Sequence, residues 1–276
     1  MTTTVTPVTT EQHTYQGKKR VGMREALDSE WAKIITVRST YWTGLATVIA
    51  GVAISVLLSW AITSNLSTLS PENRAKVDVS YTMNGLQIAM LIIGVLGVLV
   101  ITSEYSSGMI RTSLTALPRR GMLLSAKALV LAAVSLTCGL LVAWGSYLGS
   151  LPFYNSKNVS FDLGASGNLR AVLGSALAVM LISLLGFAIG ALLRHTAGSI
   201  TALVVLFFIG PIITNFLPGT WGKNINKIMP SNAAQAMVTT YQGDGYLTPL
   251  NGLLVLLAWI ASLLGGAFFL FKKRDA

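Results

Sequence analysis

Residues 171–193 read AVLGSALAVMLISLLGFAIGALL, an apolar run without a charged side chain. As an α-helix a run of this length rises about 35 Å, enough to cross a hydrocarbon core about 30 Å thick. Five more runs share its character: Trp42–Ile62, Gly85–Ile101, Ala128–Leu148, Ser199–Leu217 and Leu250–Leu270. None has Asp, Glu or Lys in its interior. Together they predict an all-α, polytopic membrane protein with six transmembrane helices. Ionisable groups within spans usually mark proton relays or ion sites. Without them, the energy for any uphill movement is expected to come from outside the membrane region.

Composition narrows the function classes. Of 276 residues, 53% are hydrophobic and 11% charged, far from the soluble norm. The segments left over by the spans are too short for a separate soluble catalytic or nucleotide-binding domain. The expected organisation is a disordered, Thr-rich tail over residues 1–22 and a single membrane domain over 23–276. The formal net charge is +10. If the N-terminus is cytoplasmic, 14 of the 20 Lys and Arg residues fall on inside segments. That is the positive-inside bias of a membrane protein rather than a nucleic-acid footprint. Both termini are then cytoplasmic, and the first span serves as its own insertion signal. The only cysteine, Cys138, lies in the third span and reads as a small packed residue. His13 and His195 do not suffice for a metal site, and no metal is expected.

Between the spans the pattern becomes amphipathic. Leu27, Trp31, Ile34 and Ile35 share one face of a helix over Arg24–Arg38, which suits the membrane interface. Arg194-His195-Thr196-Ala197-Gly198 is a turn so short that the fourth and fifth spans must be antiparallel neighbours. Gly210-Pro211 predicts a bend within the fifth span. The segment Pro218–Thr248 predicts two short re-entrant helices. Trp221, Ile225, Ile228 and Met229 are the apolar positions of the first, and Pro230-Ser231-Asn232 breaks the pattern and offers the N-cap of the second. Gly145-x-x-x-Gly149 and Gly186-x-x-x-Gly190 are expected to serve close packing within the chain.

The stretch with the most specific chemistry follows the second span. It runs Thr102-Ser103-Glu104-Tyr105-Ser106-Ser107-Gly108-Met109-Ile110-Arg111-Thr112-Ser113-Leu114-Thr115-Ala116-Leu117-Pro118-Arg119-Arg120. Glu104 stands at the inner end of the span. Ile110, Leu114 and Leu117 form one apolar face of a short helix, Pro118 stops it, and Arg119-Arg120 return the chain to the membrane surface. A helix projecting there is a surface that another protein can push. The chain lacks a Gly-x-x-x-x-Gly-Lys-Ser/Thr loop, since Gly17-Lys18 and Gly222-Lys223 have neither the earlier glycine nor the following hydroxyl.

This stretch resembles the permeases of the ABC transporter type-2 family, in the form common in actinobacteria. The likeness continues at Ser29-Glu30-Trp31-Ala32-Lys33, at Arg38-Ser39-Thr40-Tyr41-Trp42, at Leu123–Lys127, at Met229-Pro230-Ser231-Asn232-Ala233-Ala234-Gln235-Ala236 and at Lys273-Arg274-Asp275-Ala276. The resemblance implies an interfacial helix carrying Leu27, Trp31 and Ile34, then six spans. It implies a coupling helix in loop 103–125, with Glu104, Tyr105, Gly108, Met109, Ile110, Arg111, Leu114, Pro118, Arg119 and Arg120 forming or bracing it. It also implies re-entrant helices around Trp221, Pro230, Ser231 and Asn232. Two permease subunits would pair with two ATPase subunits, which bind ATP and Mg, so this chain would hold no cofactor of its own.

Three other classes compete. A membrane enzyme needs a nucleophile with a base, or metal ligands, and the spans hold neither. An ion-coupled carrier or channel would show repeats or midplane charges. A non-transporting scaffold or sensor of the same fold would keep the architecture without moving a substrate. The favoured reading is the permease of an exporter for an amphiphilic or hydrophobic substrate in the bacterial plasma membrane.

Overall fold

The structure is a computed structural model and describes residues 22–68, 70, 72, 74, 77–109, 120–165, 167–240 and 247–273. The expected disordered tail lies outside these residues apart from Gly22. Among the described residues there is no strand.

A short helix, α1 (Met23–Thr36), leads into six helices long and apolar enough to cross a membrane. These are α2 (Arg38–Ser64), α3 (Leu86–Ser106), α4 (Arg120–Asn155), α5 (Asn168–Leu193), α6 (Thr196–Asn215) and α9 (Pro249–Lys273). Two short helices, α7 (Gly219–Lys227) and α8 (Pro230–Val238), separate α6 from α9. Several spans outrun the apolar stretches that announce them. α4 begins at Arg120 and so draws Lys127 into a helix, because hydrogen bonding continues past the point where hydropathy ends.

The central element is α5, packed against α3, α4, α8 and α9. Most of its span is buried, whereas α6 and α9 bury little of theirs. Small residues allow the approach. A Cβ at Gly97 would strike the Ser183 carbonyl, and one at Gly186 would strike the Gly94 carbonyl. Gly145 and Gly149 receive Val52 and Val56 of α2. Both glycine pairs therefore work within the chain, as close backbone packing between apolar helices requires. Every third or fourth residue of α2 (Thr40, Gly44, Thr47, Gly51, Ser55, Ser59 and Thr63) forms its buried stripe. Ser59 Oγ donates to Ser150 Oγ of α4 at 2.9 Å, and the Gly85 N–H donates to Ser55 Oγ at 3.0 Å.

The bend in α6 is a π turn over Val205–Ile209. The Gly210 N–H donates to the Val205 carbonyl five residues back, which widens the helix before Pro211.

The two short helices have different fates. α8 is inserted between α5 and α9, with Pro230, Ser231, Ala233, Ala234, Ala236, Met237 and Val238 buried. Its C-terminal end is held by Asp78, whose carboxylate accepts from the Thr240 N–H at 2.9 Å and from Thr240 Oγ at 2.5 Å. α7 buries only Gly222, and Trp221 is 78% exposed. The expected N-cap at Pro230-Ser231-Asn232 is corrected. Met229 is the N-cap residue and makes no side-chain cap, while Pro230 occupies the first turn, where its fixed φ and missing N–H fit. Asn232 instead donates to the carbonyl and the side-chain oxygen of Asn226, both at 2.7 Å, which ties α8 to α7.

Candidate functional site

The end of the bundle where α2 begins holds a ring of four charges. Glu104 sits in the last turn of α3, just before the chain leaves that helix for the loop that leads to α4. Lys127 lies about two turns into α4, just after that loop returns. α1 supplies the other two. Ala26, Glu30 and Lys33 follow the i, i+4, i+7 spacing of a single helix face, and Ala26 and Glu30 are buried. Lys127 Nζ donates to Glu30 Oε2 at 2.6 Å and to Glu104 Oε1 at 2.5 Å. Lys33 Nζ donates to Glu30 Oε1 at 2.8 Å and to Glu104 Oε1 at 3.0 Å. Signs alternate around the ring and the total charge is zero.

Burial sets the energetics. The Lys127 side chain is 1% exposed, Glu30 4% and Glu104 7%, while Lys33 keeps 32%. Taking one such ion out of water costs several kcal/mol unless opposite charges and hydrogen bonds offset it. Here each charge has two opposing partners within 3.0 Å. At Lys33, burial by itself would pull the amine below its usual range. Hydrogen bonds to Glu30 and Glu104 outweigh that, and the net displacement is upward. Glu104 Oε2 is buried with no hydrogen-bond partner among the described residues.

Neighbouring groups tie the loop's root to the rest of the bundle. The guanidinium carbon of Arg194 lies 5.3 Å from the centroid of the Tyr105 ring, joining α3 to the α5–α6 turn. Arg194 itself ends α5 in a left-handed conformation, φ 55°. His195 Nδ1 accepts from the Gly198 N–H at 3.1 Å and so caps α6. Beyond α3, Gly108 takes φ +72° with nothing within 4 Å of where a Cβ would stand. That conformation favours glycine and turns the chain out of the helix. Met109, next to it, is exposed.

Of the residues expected in the coupling region, Glu104, Tyr105, Gly108 and Met109 are thus placed. Ile110, Arg111, Leu114, Pro118 and Arg119 lie outside the described residues, and of Arg120 only its position as the first residue of α4 is described. Leu27, Trp31 and Ile34 do not enter the ring. Leu27 and Ile34 flank Glu30 on the half-buried side of α1, where Leu27 packs against Ala26, Leu123 and Ala126, while Trp31 is turned outward and exposed. Trp221, Pro230, Ser231 and Asn232 belong to the opposite end of the bundle.

Sequence reasoning missed the ring as a unit. Its signal was present: Glu30 and Lys33 are one turn apart, and Lys127 borders an apolar run in a chain with few charges. Glu30 and Lys33 belong to motifs that carry only the family resemblance, and nothing in their spacing alone points to Glu104 or Lys127. The arrangement clamps α1, α3 and α4 together at the two roots of segment 110–119.

No curated protein matches the chain. A family profile described as "ABC-2 family transporter protein" matches residues 26–213, which takes in α1, the four charges of the ring and the first five spans up to the last turns of α6. With that match over more than half its length, the chain belongs to the ABC-2 transporter family and is a multi-pass membrane permease.

Proposed function

We propose that this permease is the membrane-spanning subunit of an ATP-driven exporter in the bacterial plasma membrane, moving an amphiphilic or hydrophobic substrate. Family membership implies an ABC ATPase partner. In this reading two ATPase subunits bind ATP and Mg and dock on loop 103–125 of two permease copies. Both termini and the ion ring then face the cytoplasm, and positive-inside bias supports that orientation. α1 lies along the interface with Trp31 toward the lipid; of the re-entrant pair, α8 is the inserted helix and α7 lies at the headgroup level. The tail over 1–22 precedes one permease domain over 23–276.

The observation that carries the reading is the ring's position. Glu104 and Lys127 stand at the two roots of the loop, and both bind Glu30 of α1 or its partner Lys33. ATP-bound partners need only favour one arrangement of this clamp over another to switch access across the membrane. Ile110, Arg111, Leu114, Pro118, Arg119 and Arg120 supply the docking surface. Glu104 and Gly108 brace its root.

The test is a reconstituted permease–ATPase complex. Glu104→Ala removes two of the ring's contacts. Gly108→Trp meets nothing within 4 Å among the described residues, and strains the left-handed turn at the root of the segment rather than the packing of the bundle. Both variants should insert normally and lose transport-linked stimulation of ATP hydrolysis. Stimulation at the unsubstituted level in both would count against the assignment.

A further inference from the structure

At the end of the bundle opposite the ion ring, an open cleft of about 550 Å³ lies between the last turn of α6 and α7. Thr214 and Asn215 line one side, and Lys223, Asn226 and Lys227 the other. The lysines are four residues apart on α7, one helical turn, so both ammonium groups reach the same face. No carboxylate neutralises them among the described residues, and the chain has no Asp or Glu anywhere from residue 163 to 243. The Asn226 amide is already committed. It donates to the Pro211 carbonyl and to Thr214 Oγ, both at 2.8 Å, and its oxygen accepts from Asn232. Those bonds fix the cleft's floor and leave the two ammonium groups as its unneutralised charge.

The surroundings say what covers it. Trp221, Ile225 and Ile228 lie on the side of α7 opposite the lysines, and Phe216 is 85% exposed at the end of α6. A helix with aromatic and aliphatic groups on one side and lysines on the other sits at the membrane interface, cations level with the headgroups. We infer that this cleft binds a phosphate-bearing anion, the headgroup of an anionic phospholipid, through Lys223 and Lys227. An acyl chain beside Phe216 and Trp221 would add apolar contact that free phosphate cannot make. The inference concerns a different surface from the ion ring and stands whether or not the exporter reading holds.

The experiment titrates the full-length chain in neutral detergent with short-chain phosphatidylglycerol, short-chain phosphatidylcholine and inorganic phosphate, followed by calorimetry. A lysine near a charged surface contributes about fivefold in binding, so Lys223→Gln with Lys227→Gln should weaken phosphatidylglycerol about thirtyfold. Lys223→Arg with Lys227→Arg should retain binding, which separates loss of charge from damage to α7. Phosphatidylglycerol binding more tightly than both other probes supports the lipid as occupant. Inorganic phosphate binding equally tightly, and lost in the Gln variant, supports the anion site but overturns the lipid. Equal phosphatidylglycerol affinity in the Gln variant and the natural chain overturns the site.

Discussion

Lys127→Met is the sharpest test of the ion ring. The substitution keeps the side chain's length and removes its charge. Glu30 Oε2 loses a partner at 2.6 Å and Glu104 Oε1 loses one at 2.5 Å, and both side chains are over nine-tenths buried. Lys33 still reaches both carboxylates, but three charges then share the pocket with a net of −1. Removing one member of a buried pair typically costs about 3–5 kcal/mol, against about 0–1 kcal/mol for an exposed pair. The loss should fall mainly on the docking of α1, which Lys33–Glu104 ties to α3 and Glu30–Lys127 ties to α4. A change of 3 kcal/mol in local opening accelerates exchange by roughly a hundredfold. Hydrogen exchange followed by mass spectrometry should therefore show that acceleration in 23–36, with amides in the middle of α5 unchanged. Adding Glu104→Gln to Lys127→Met restores a neutral pocket and should recover at least half of the lost protection. An acceleration below about fivefold, the value of an exposed pair, would refute the claim that the ring is a buried clamp.

Two other outcomes follow from the same geometry. Because Lys33's amine is displaced upward by its carboxylate partners, its contribution to stability is fully present below the ordinary lysine pKa. It is lost as pH rises through the higher folded value. Protection of α1 should hold level from pH 7 to about 10 and fall above about 10.5, and Lys33→Met should abolish that alkaline step. A step at the same pH in the variant would assign it to another group. Gly97→Val should destabilise the bundle by about 1–3 kcal/mol or more, since its Cβ would occupy the space of the Ser183 carbonyl. Thermal unfolding in detergent would report it. Gly265→Val serves as the control because nothing lies within 4 Å of that position.

How far the site could be read ahead of the structure differs from residue to residue. Glu104 was recognisable as the acid at the inner end of an apolar run, whereas Gly108 was named only through the family resemblance. Glu30 was passed over. It shares α1 with Trp31, and the apolar spacing of that helix pointed to the membrane interface. In the structure Trp31 and Ile35 are exposed, while Leu27 and Ile34 flank the inward-facing Ala26 and Glu30. Only its pairing with Lys33, one turn on, is local; the partner that buries it, Lys127, lies 97 residues away. α7 and α8 make the same point: both were predicted as short helices of like kind, but only α8 became part of the core.

What the chain settled by itself is the solvent it lives in. Six apolar runs, the cationic bias of the segments between them and the missing phosphate loop follow from hydropathy, charge and short-range spacing, properties that each segment carries alone. The tertiary structure decided which faces meet. It put α5 at the centre because glycines at 97 and 186 let backbones touch, and it turned the Ala26, Glu30 and Lys33 stripe of α1 inward because Lys127 and Glu104 were waiting there. Apolar faces have no preferred direction within a membrane, where lipid and protein interior are equally apolar. Close packing and pairing between distant charges make that choice.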